Sequence, residues 1–359
     1  MRLDRANPQP FYHYFNKIWT PIRSSPDITR NLSTSNVYQI LRKNVTRIRL
    51  TTWNIDFQTP LGCERMAAAL EYLSHQHSTQ NPASQHDDET PSIIFLQEMV
   101  ESDLQLIQES GWVQEKFFIT DISCDRWRGY YGTTTMIDKQ LVVQGVFRVP
   151  YSSSRMQRDA LFVDVDVGSG SGPPGAEGGC ILRLCNTHLE SLVSSPPRRP
   201  EQLRLASSFM HGSGPAPAPA PEDEGEYTPP TPHAAILAGD LNAFAPEDRS
   251  APEECGLRDA FLALGGREGT EESFTWGQQV PAWMREKFGC SRMDKILYCG
   301  GVEAKSLKRI GDGVTVRVDL RGDHSDSEHD DESEDEYEDV WVTDHLGLQG
   351  EFEVLSSGC

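Results

Sequence analysis

The chain has 359 residues, enough for one large folded unit or two ordinary ones, and its 37% hydrophobic content with 7 Trp requires a globular core. No apolar run is long enough to span a membrane, the first residues lack the apolar segment of an export signal, and the 8 Cys contain no C-x-x-C pair; free thiols in an intracellular protein are expected. The net charge is −21, but residues 321–340 hold 11 acids against one Arg. With the shorter acidic stretches 221–226 and 86–89 also set aside, the remainder carries about −4, which leaves room for a local basic groove.

In chain order, residues 1–44 read as an irregular arm whose cluster "FYHYFNKIW" docks on the domain or binds a partner. The alternation in "TRIRLTTW" (46–53) predicts a strand, "CERMAAALEYL" (63–73) a helix, and "SIIFLQ" (92–97) a short apolar strand. Further strands are predicted over 133–137, 141–149, 160–167 and 180–189. A helix follows at 201–210, then the strand 234–239, and last the strands 294–299, 302–310 and 346–354. Between them lie low-complexity breaks at about 78–91, 168–179, 212–232 and 321–340, where surface insertions cost little. The acidic runs are expected to stay solvated and disordered. Residues 45–356 therefore read as one elaborated domain, because the breaks separate pieces that each carry part of one polar set.

That set sits at strand ends. "TTWNID" supplies Asn54 and Asp56; "IIFLQEM" ends in Glu98; "CNTHLES" offers Asn186, His188 and Ser191. "HAAILAGDLNAF" delivers Asp240 and Asn242, which share a face because residues two apart in an extended chain point the same way. "RMDKILY" holds Asp294, and "VTDHLGL" holds Asp344 and His345. Each alone is an ordinary turn residue. Together they suit phosphoester hydrolysis with a divalent ion. Carboxylate and amide oxygens without a thiolate cluster favour Mg²⁺ or Mn²⁺ over Zn²⁺, imidazoles can donate to phosphoryl oxygens, and an Asp can orient or deprotonate water.

In this order T-W-N-I-D, L-Q-E, N-T-H-L-E-S, G-D-x-N, R-x-D-K-I and T-D-H-x-G-L resemble the endonuclease/exonuclease/phosphatase superfamily, over about residues 46–354. Within it, T-W-N-I-D and H-L-E-S resemble the tyrosyl-DNA phosphodiesterase branch. The resemblance implies an α/β fold, a four-layer α/β sandwich of two mixed β-sheets packed face to face with helices outside and disordered insertions between, in which 45–356 is the catalytic domain. It implies Glu98 as the principal Mg²⁺ ligand, with Asn54 and Asp56 nearby and Asp344 supporting the outer shell. Asp240 would position or deprotonate the attacking water, and Asn242 would hold that water or the phosphate. His188 and His345 would stabilise the pentacovalent state, and Asp294 would orient an imidazole. Asn54 and Asn186 equally fit loops closed by their own hydrogen bonds.

The implied substrate is a tyrosine joined by phosphodiester to a single-stranded 5′ DNA end, the adduct left by topoisomerase II, handled by a nuclear or also cytoplasmic monomer that does not bind membranes. Ser191, Trp276, Tyr131 (or Tyr130), Arg292, Met293 and Leu346 are the candidate contacts, with Lys295 beside Asp294; Trp276 also fits a core position. The sequence departs from the family where Leu192 and Val193 replace an expected Arg, where Met293 and Leu346 replace aromatics, and where "AFAPED" follows G-D-x-N in place of a basic segment. The alternatives are the same fold acting on RNA, abasic DNA, inositol phosphate or sphingomyelin, and a non-catalytic scaffold whose acidic run binds basic partners.

Overall fold

A computed structural model describes residues 1–23, 45–78, 90–168, 180–214, 227–319 and 337–355. The expected insertions, most of the acidic run, and the second half of the arm lie largely outside the described residues. The elements run β1 (Asn7–Gln9), β2 (Phe11–Phe15), β3 (Ile18–Ile22), β4 (Arg47–Asn54), α1 (Gly62–Ser78), β5 (Ser92–Met99), α2 (Glu101–Glu109), α3 (Gly111–Lys116) and β6 (Phe117–Ile119). They continue with β7 (Gly132–Asp138), β8 (Val142–Pro150), β9 (Asp159–Asp166), β10 (Ile181–Thr187), α4 (Arg199–Met210) and β11 (Ala234–Asp240). Then come α5 (Ala251–Glu254), β12 (Arg258–Asp259), α6 (Ala260–Ala263), α7 (Ala282–Phe288), β13 (Asp294–Gly300), β14 (Val302–Ile310), β15 (Thr315–Asp319), β16 (Tyr337–Trp341) and β17 (Gly347–Val354).

Two large mixed sheets result, one in the order β1-β8-β9-β10-β11-β13-β12 and the other β14-β17-β4-β5-β7-β6-β2-β3. Parallel strands need a crossover. Accordingly α1 joins the parallel pair β4–β5 and α4 joins β10–β11, while β13 and β17 run antiparallel to β11 and β4. The inner faces meet in a core of Ile48, Leu50, Ile93 and Phe95 from one sheet against Val163, Leu182, Leu184 and Ile236 from the other. Outside, Leu203, Ala206 and Phe209 of α4 cover the first sheet at Phe147, Phe162 and Leu237. Met66, Ala69 and Leu73 of α1 and Leu104 and Ile107 of α2 cover the second at Trp53, Ile94 and Leu96. Strands buried on both faces read as continuous apolar runs, which is why Ala234–Asp240 has no polar alternation. The architecture is the expected four-layer sandwich.

The first residues differ from the expectation of an irregular arm. β1 pairs with β8 in one sheet and β2 pairs with β6 in the other, so the segment spans both. Gln9 secures it by donating to the Thr120 carbonyl (3.0 Å) and accepting from Arg148 (3.0 Å). One cysteine also departs: Cys180 is disulfide-bonded, whereas Cys63, Cys124, Cys185, Cys255, Cys290 and Cys299 are free.

The topology fixes one rim. β4, β5, β10 and β11 end there, and β13 and β17, running the opposite way, begin there; the register sets Asp240 opposite Asp294. Gly239 permits the close approach of β11 to its neighbour. A Cβ on it would lie 1.8 Å from the Thr187 carbonyl oxygen, and its φ of +148° is one that only Gly adopts readily.

Candidate active site

Asp240 is the centre of the rim. Its Oδ1 accepts from the Asn242 backbone N–H (2.8 Å), closing a turn that holds Asn242 at φ +48°. Its Oδ2 accepts from Asn54 Nδ2 (3.0 Å), a bond from one sheet to the other, and faces His188 Nε2 at 3.3 Å and His345 Nε2 at 3.7 Å. Burial alone would raise the Asp240 carboxyl, but the His345 charge, the neighbouring His188 ring and the bond from the Asn242 N–H hold it well below the usual carboxylate range. Asp240 is therefore an anion at any physiological pH.

The two imidazoles differ in charge. His188 Nδ1 lies 2.5 Å from Arg158 Nη1, and a guanidinium can only donate, so Nδ1 accepts and Nε2 carries the proton. Burial and the Arg158 charge push His188 down to about 4, which makes it neutral near pH 7. Its Nε2 has no aligned hydrogen-bond partner among the described residues and aims between Asp240 and Glu98, whose Oε1 is 3.8 Å away. His345 is the opposite case. Burial opposes its charge, but Asp294, Asp240 and Asp344 outweigh burial and raise it well above the ordinary value. Its Nδ1 meets Asp294 Oδ2 at 2.7 Å, which fixes the ring and leaves Nε2–H facing Asp240. Asp294 is fully buried and its backbone N–H donates to Thr275 Oγ1 (3.0 Å), which anchors the residue against this ring.

Glu98 sits at φ +59°, an uncommon backbone state for a residue with a side chain, and burial pushes its carboxyl up to about 7 despite Arg158 nearby. Its Oε2 accepts weakly from the Phe57 N–H (3.3 Å), and among the described residues no donor lies within hydrogen-bond range of Oε1. Ligand atoms of Glu98, His188 and Asp240 lie within 4.8 Å of one another, as do those of Asp240, Asp294 and His345. A half-neutralised carboxylate beside a buried, unpartnered imidazole N–H fits a hard cation with a bound anion. The carboxylate oxygens of Glu98 and Asp240, with no thiolate among these groups, suit a hard divalent cation.

The remaining predicted residues divide. Asp344 reaches the rim: Oδ1 is 3.8 Å from His345 Nε2 and Oδ2 accepts from Trp276 Nε1 (2.8 Å), so Trp276 is a half-buried part of the wall. Asp56 accepts from the Gln58 and Thr59 N–H groups on Oδ1 and from Arg65 on Oδ2 (3.1 Å), so both oxygens already have protein partners. Asn54 combines both readings given to it, since Oδ1 closes the turn to Asp56 N (2.9 Å) while Nδ2 binds Asp240. Asn186 is wholly structural in its contacts, accepting from Gln97 (2.8 Å) and donating to the Thr134 and Leu96 carbonyls across the two sheets. Asn242 Nδ2 reaches the Leu189 carbonyl (3.3 Å). Leu346 is buried and Met293 half-buried beside this wall. Arg292 departs from expectation: it is buried in ion pairs with Asp259 (2.7 Å) and Glu268, and Lys295 with Glu268 (3.5 Å), so neither is a free cation for a phosphate.

Several participants escaped the sequence reading. Arg158 donates to Ser191 Oγ (3.1 Å) as well as meeting His188, and thus supplies from the start of β9 the cation whose absence after H-L-E-S is evident in the sequence. The pairing of β9 with β10 would have suggested it, since Ala160 lies opposite Thr187. Its guanidinium also lies 4.8 Å over the Tyr131 ring, which stacks on Phe57 at 4.3 Å; Tyr130 joins edge-on and is 69% exposed. On the His345 side, α7 presents Trp283 (61% exposed) and Phe288 (56%), with the Phe288 ring against Trp276 and Lys287 over Phe288. Aromatic surface therefore flanks the rim beside both imidazoles.

Residues 51–345 match the family model described as "Endonuclease/Exonuclease/phosphatase family". A curated 5′-tyrosyl-DNA phosphodiesterase of Caenorhabditis elegans is 25% identical over 230 residues, which is 64% of this chain and 51% of that protein; the chain thus spans about half the length of the curated relative it matches. The structure of truncated C. elegans TDP2 superposes with a TM-score of 0.55 at 19% identity, covering 87% of this chain and 100% of that one. The D. rerio TDP2 structure complexed with single-strand DNA product gives 0.54 at 18%, covering 86% and 99%. These likenesses are of fold.

Proposed function

Because the chain belongs to the endonuclease/exonuclease/phosphatase family, we propose that it is a metal-dependent phosphodiesterase that frees tyrosine from the 5′ phosphate of a single-stranded DNA end. The observation that carries the reading is the meeting of Asn54, His188 and His345 on the single oxygen Asp240 Oδ2 beside Glu98.

A carboxylate held as low as Asp240 is a weak base, so its work is to orient a water by accepting its hydrogen bond, with Asn54 fixing the lone pair that remains. His345, a cation aligned by Asp294, and His188, a neutral donor aligned by Arg158, face that water from two sides. Both N–H groups are placed to meet charge developing on phosphoryl oxygens. Glu98 would hold Mg²⁺ or Mn²⁺, with Asp344 in support; such an ion, when bound, neutralises phosphoryl charge and polarises the ester. A tyrosyl oxygen, with a phenol pKa of about 10, leaves with hydrogen-bond support alone and needs no strong general acid. That economy favours a phenolic ester over an alkyl one.

The aromatic surface at Tyr131, Trp276, Trp283 and Phe288 supports a single-stranded nucleic acid with unpaired bases to stack. D. rerio TDP2, which shares the fold, is complexed with single-strand DNA product. A 5′-tyrosyl DNA end is the adduct a topoisomerase II leaves, and a nuclear or also cytoplasmic location follows from such a substrate. The test is a substrate panel at equal enzyme concentration: a 5′-phosphotyrosyl oligonucleotide, an abasic-site duplex, an RNA oligonucleotide, inositol phosphate and sphingomyelin. Preferential release of tyrosine with Mg²⁺ supports the reading. Preference for any other member overturns the substrate assignment.

A further inference from the structure

Two segments far apart in sequence build opposite parts of the rim. Residues 55–59, after β4, carry Phe57, whose N–H meets Glu98. Residues 341–345, from the last residue of β16 onward, carry Asp344 and His345. Thr343 stands between them: its hydroxyl donates to the Asn54 carbonyl (2.7 Å) and accepts from the His345 N–H (3.2 Å). No strand pairing joins the two segments to each other.

Arg65 of α1 joins them. Its side chain is 1% exposed and lies behind the rim. Nε–H is shared by the carbonyls of Trp341 (3.2 Å) and Val342 (2.9 Å). Nη1 donates to the carbonyls of Asp56 (3.0 Å) and Thr59 (2.8 Å), and Nη2 to the Ile55 carbonyl (3.1 Å) and Asp56 Oδ2 (3.1 Å). Six acceptors on two segments thus converge on one planar fork. A lysine, with a single donor centre, reaches one side of that set only. The clamp also accounts for Asp56, which sits at φ +56°; a state so sparsely populated persists where surrounding bonds over-determine it.

Resting on the phosphodiesterase reading, we propose that Arg65 is a positioning residue, which holds the Glu98 side and the His345 side of the site at the spacing needed for turnover and does so without touching the substrate. Asn54 lies between the clamped segments, bonded to Asp56 on one and Thr343 on the other, so a slip of either segment moves the Asn54–Asp240 contact.

The experiment compares wild type, Arg65→Lys and Arg65→Ala on a 5′-phosphotyrosyl oligonucleotide, and measures backbone hydrogen exchange in all three without substrate. A misplacement of about 1 Å is worth roughly a hundredfold in rate. Arg65→Lys is therefore expected to lose about that much in kcat with KM little changed. Exchange should quicken at residues 55–59 and 341–345 and stay as in wild type elsewhere. Added guanidinium ion should restore part of the kcat of Arg65→Ala and slow exchange in the same two segments. Wild-type kcat in Arg65→Lys overturns the proposal, as does exchange that quickens evenly through the molecule with activity lost in proportion to unfolding. If wild type cleaves no phosphotyrosyl ester, the functional reading fails on its own. The exchange pattern then still decides: localised quickening upholds the clamp and an unchanged pattern overturns it.

Discussion

Asn54 Nδ2 and Asp240 Oδ2 are 3.0 Å apart, although one residue ends a strand of the first crossover unit and the other ends a strand in the opposite sheet. The bond ties the two sheets at the point where the chemistry is proposed to occur. It also decides which oxygen of Asp240 carries that chemistry, because Oδ1 is spent on the Asn242 N–H. Asn54→Ala is expected to free that oxygen and to lower kcat by about 10²-fold, with the fold retained by circular dichroism. Unchanged kcat would confine Asn54 to closing the turn at Asp56.

Asn186 offers the contrast. It is fully buried and its bonds are all between sheets, so Asn186→Ala leaves buried partners unpaired and should cost about 1–3 kcal/mol of stability. Urea unfolding would measure it. The kcat of the folded variant should match wild type, and a large loss of kcat at unchanged stability would move Asn186 into the active site.

Asp294→Asn tests the His345 cation. Asp294 is the first of the charges that outweigh burial and keep the ring protonated, so its loss lets burial lower the His345 pKa. Activity should then fall about 10²-fold or more at neutral pH and fall further as pH rises, because the proton is lost at a lower pH than in wild type. A pH profile parallel to wild type would show that Asp294 does not govern the charge.

Cation binding should depend on pH through Glu98. Its carboxyl, pushed up to about 7, is largely protonated below that value, and a metal ligand must be deprotonated. Affinity for Mn²⁺, followed by titration calorimetry, should fall about tenfold per pH unit below 7 and level off above it, with proton release on binding. Affinity flat from pH 5 to 8, a range of about three units, would place the cation elsewhere.

On the surface, Trp283→Ala and Phe288→Ala remove exposed rings that no core contact requires. Base stacking on such rings is worth about 1–3 kcal/mol. KM for a phosphotyrosyl oligonucleotide should rise accordingly, and cleavage of a phosphotyrosyl mononucleotide should not change. Equal effects on both substrates would contradict a nucleotide platform.

Much of this arrangement is legible in the sequence because strand ends in a doubly crossed sandwich are announced by apolar runs that stop at polar residues. Asn54, Glu98, His188 and Asp240 follow that rule, Asp294 and His345 mark the starts of the antiparallel runs β13 and β17, and the fold brings these side chains to one rim. The cations did not follow it. Arg158 and Arg65 find their partners across strands and from a helix, while Arg292 turns away to Asp259, and no local pattern distinguishes the three. The first strands were hidden for a different reason. Pro8 and Pro21 argue against a central strand, and both in fact lie on sheet edges, where a missing N–H costs no ladder bond. The rings of α7 carry no strand or motif signal and are recognisable only by their exposure.

A magnesium-assisted attack on a phosphotyrosyl ester run from the Asp240 rim must fail when either the ion or the rim carboxylates are removed. Its most direct measurement is tyrosine release from a 5′-phosphotyrosyl oligonucleotide by wild type, Glu98→Ala and Asp240→Asn, each with Mg²⁺ and with excess chelator. Release is expected from wild type with Mg²⁺ alone, with at least about a 10²-fold loss in both variants and in chelator. Release that continues undiminished in chelator, or in either variant, would contradict it.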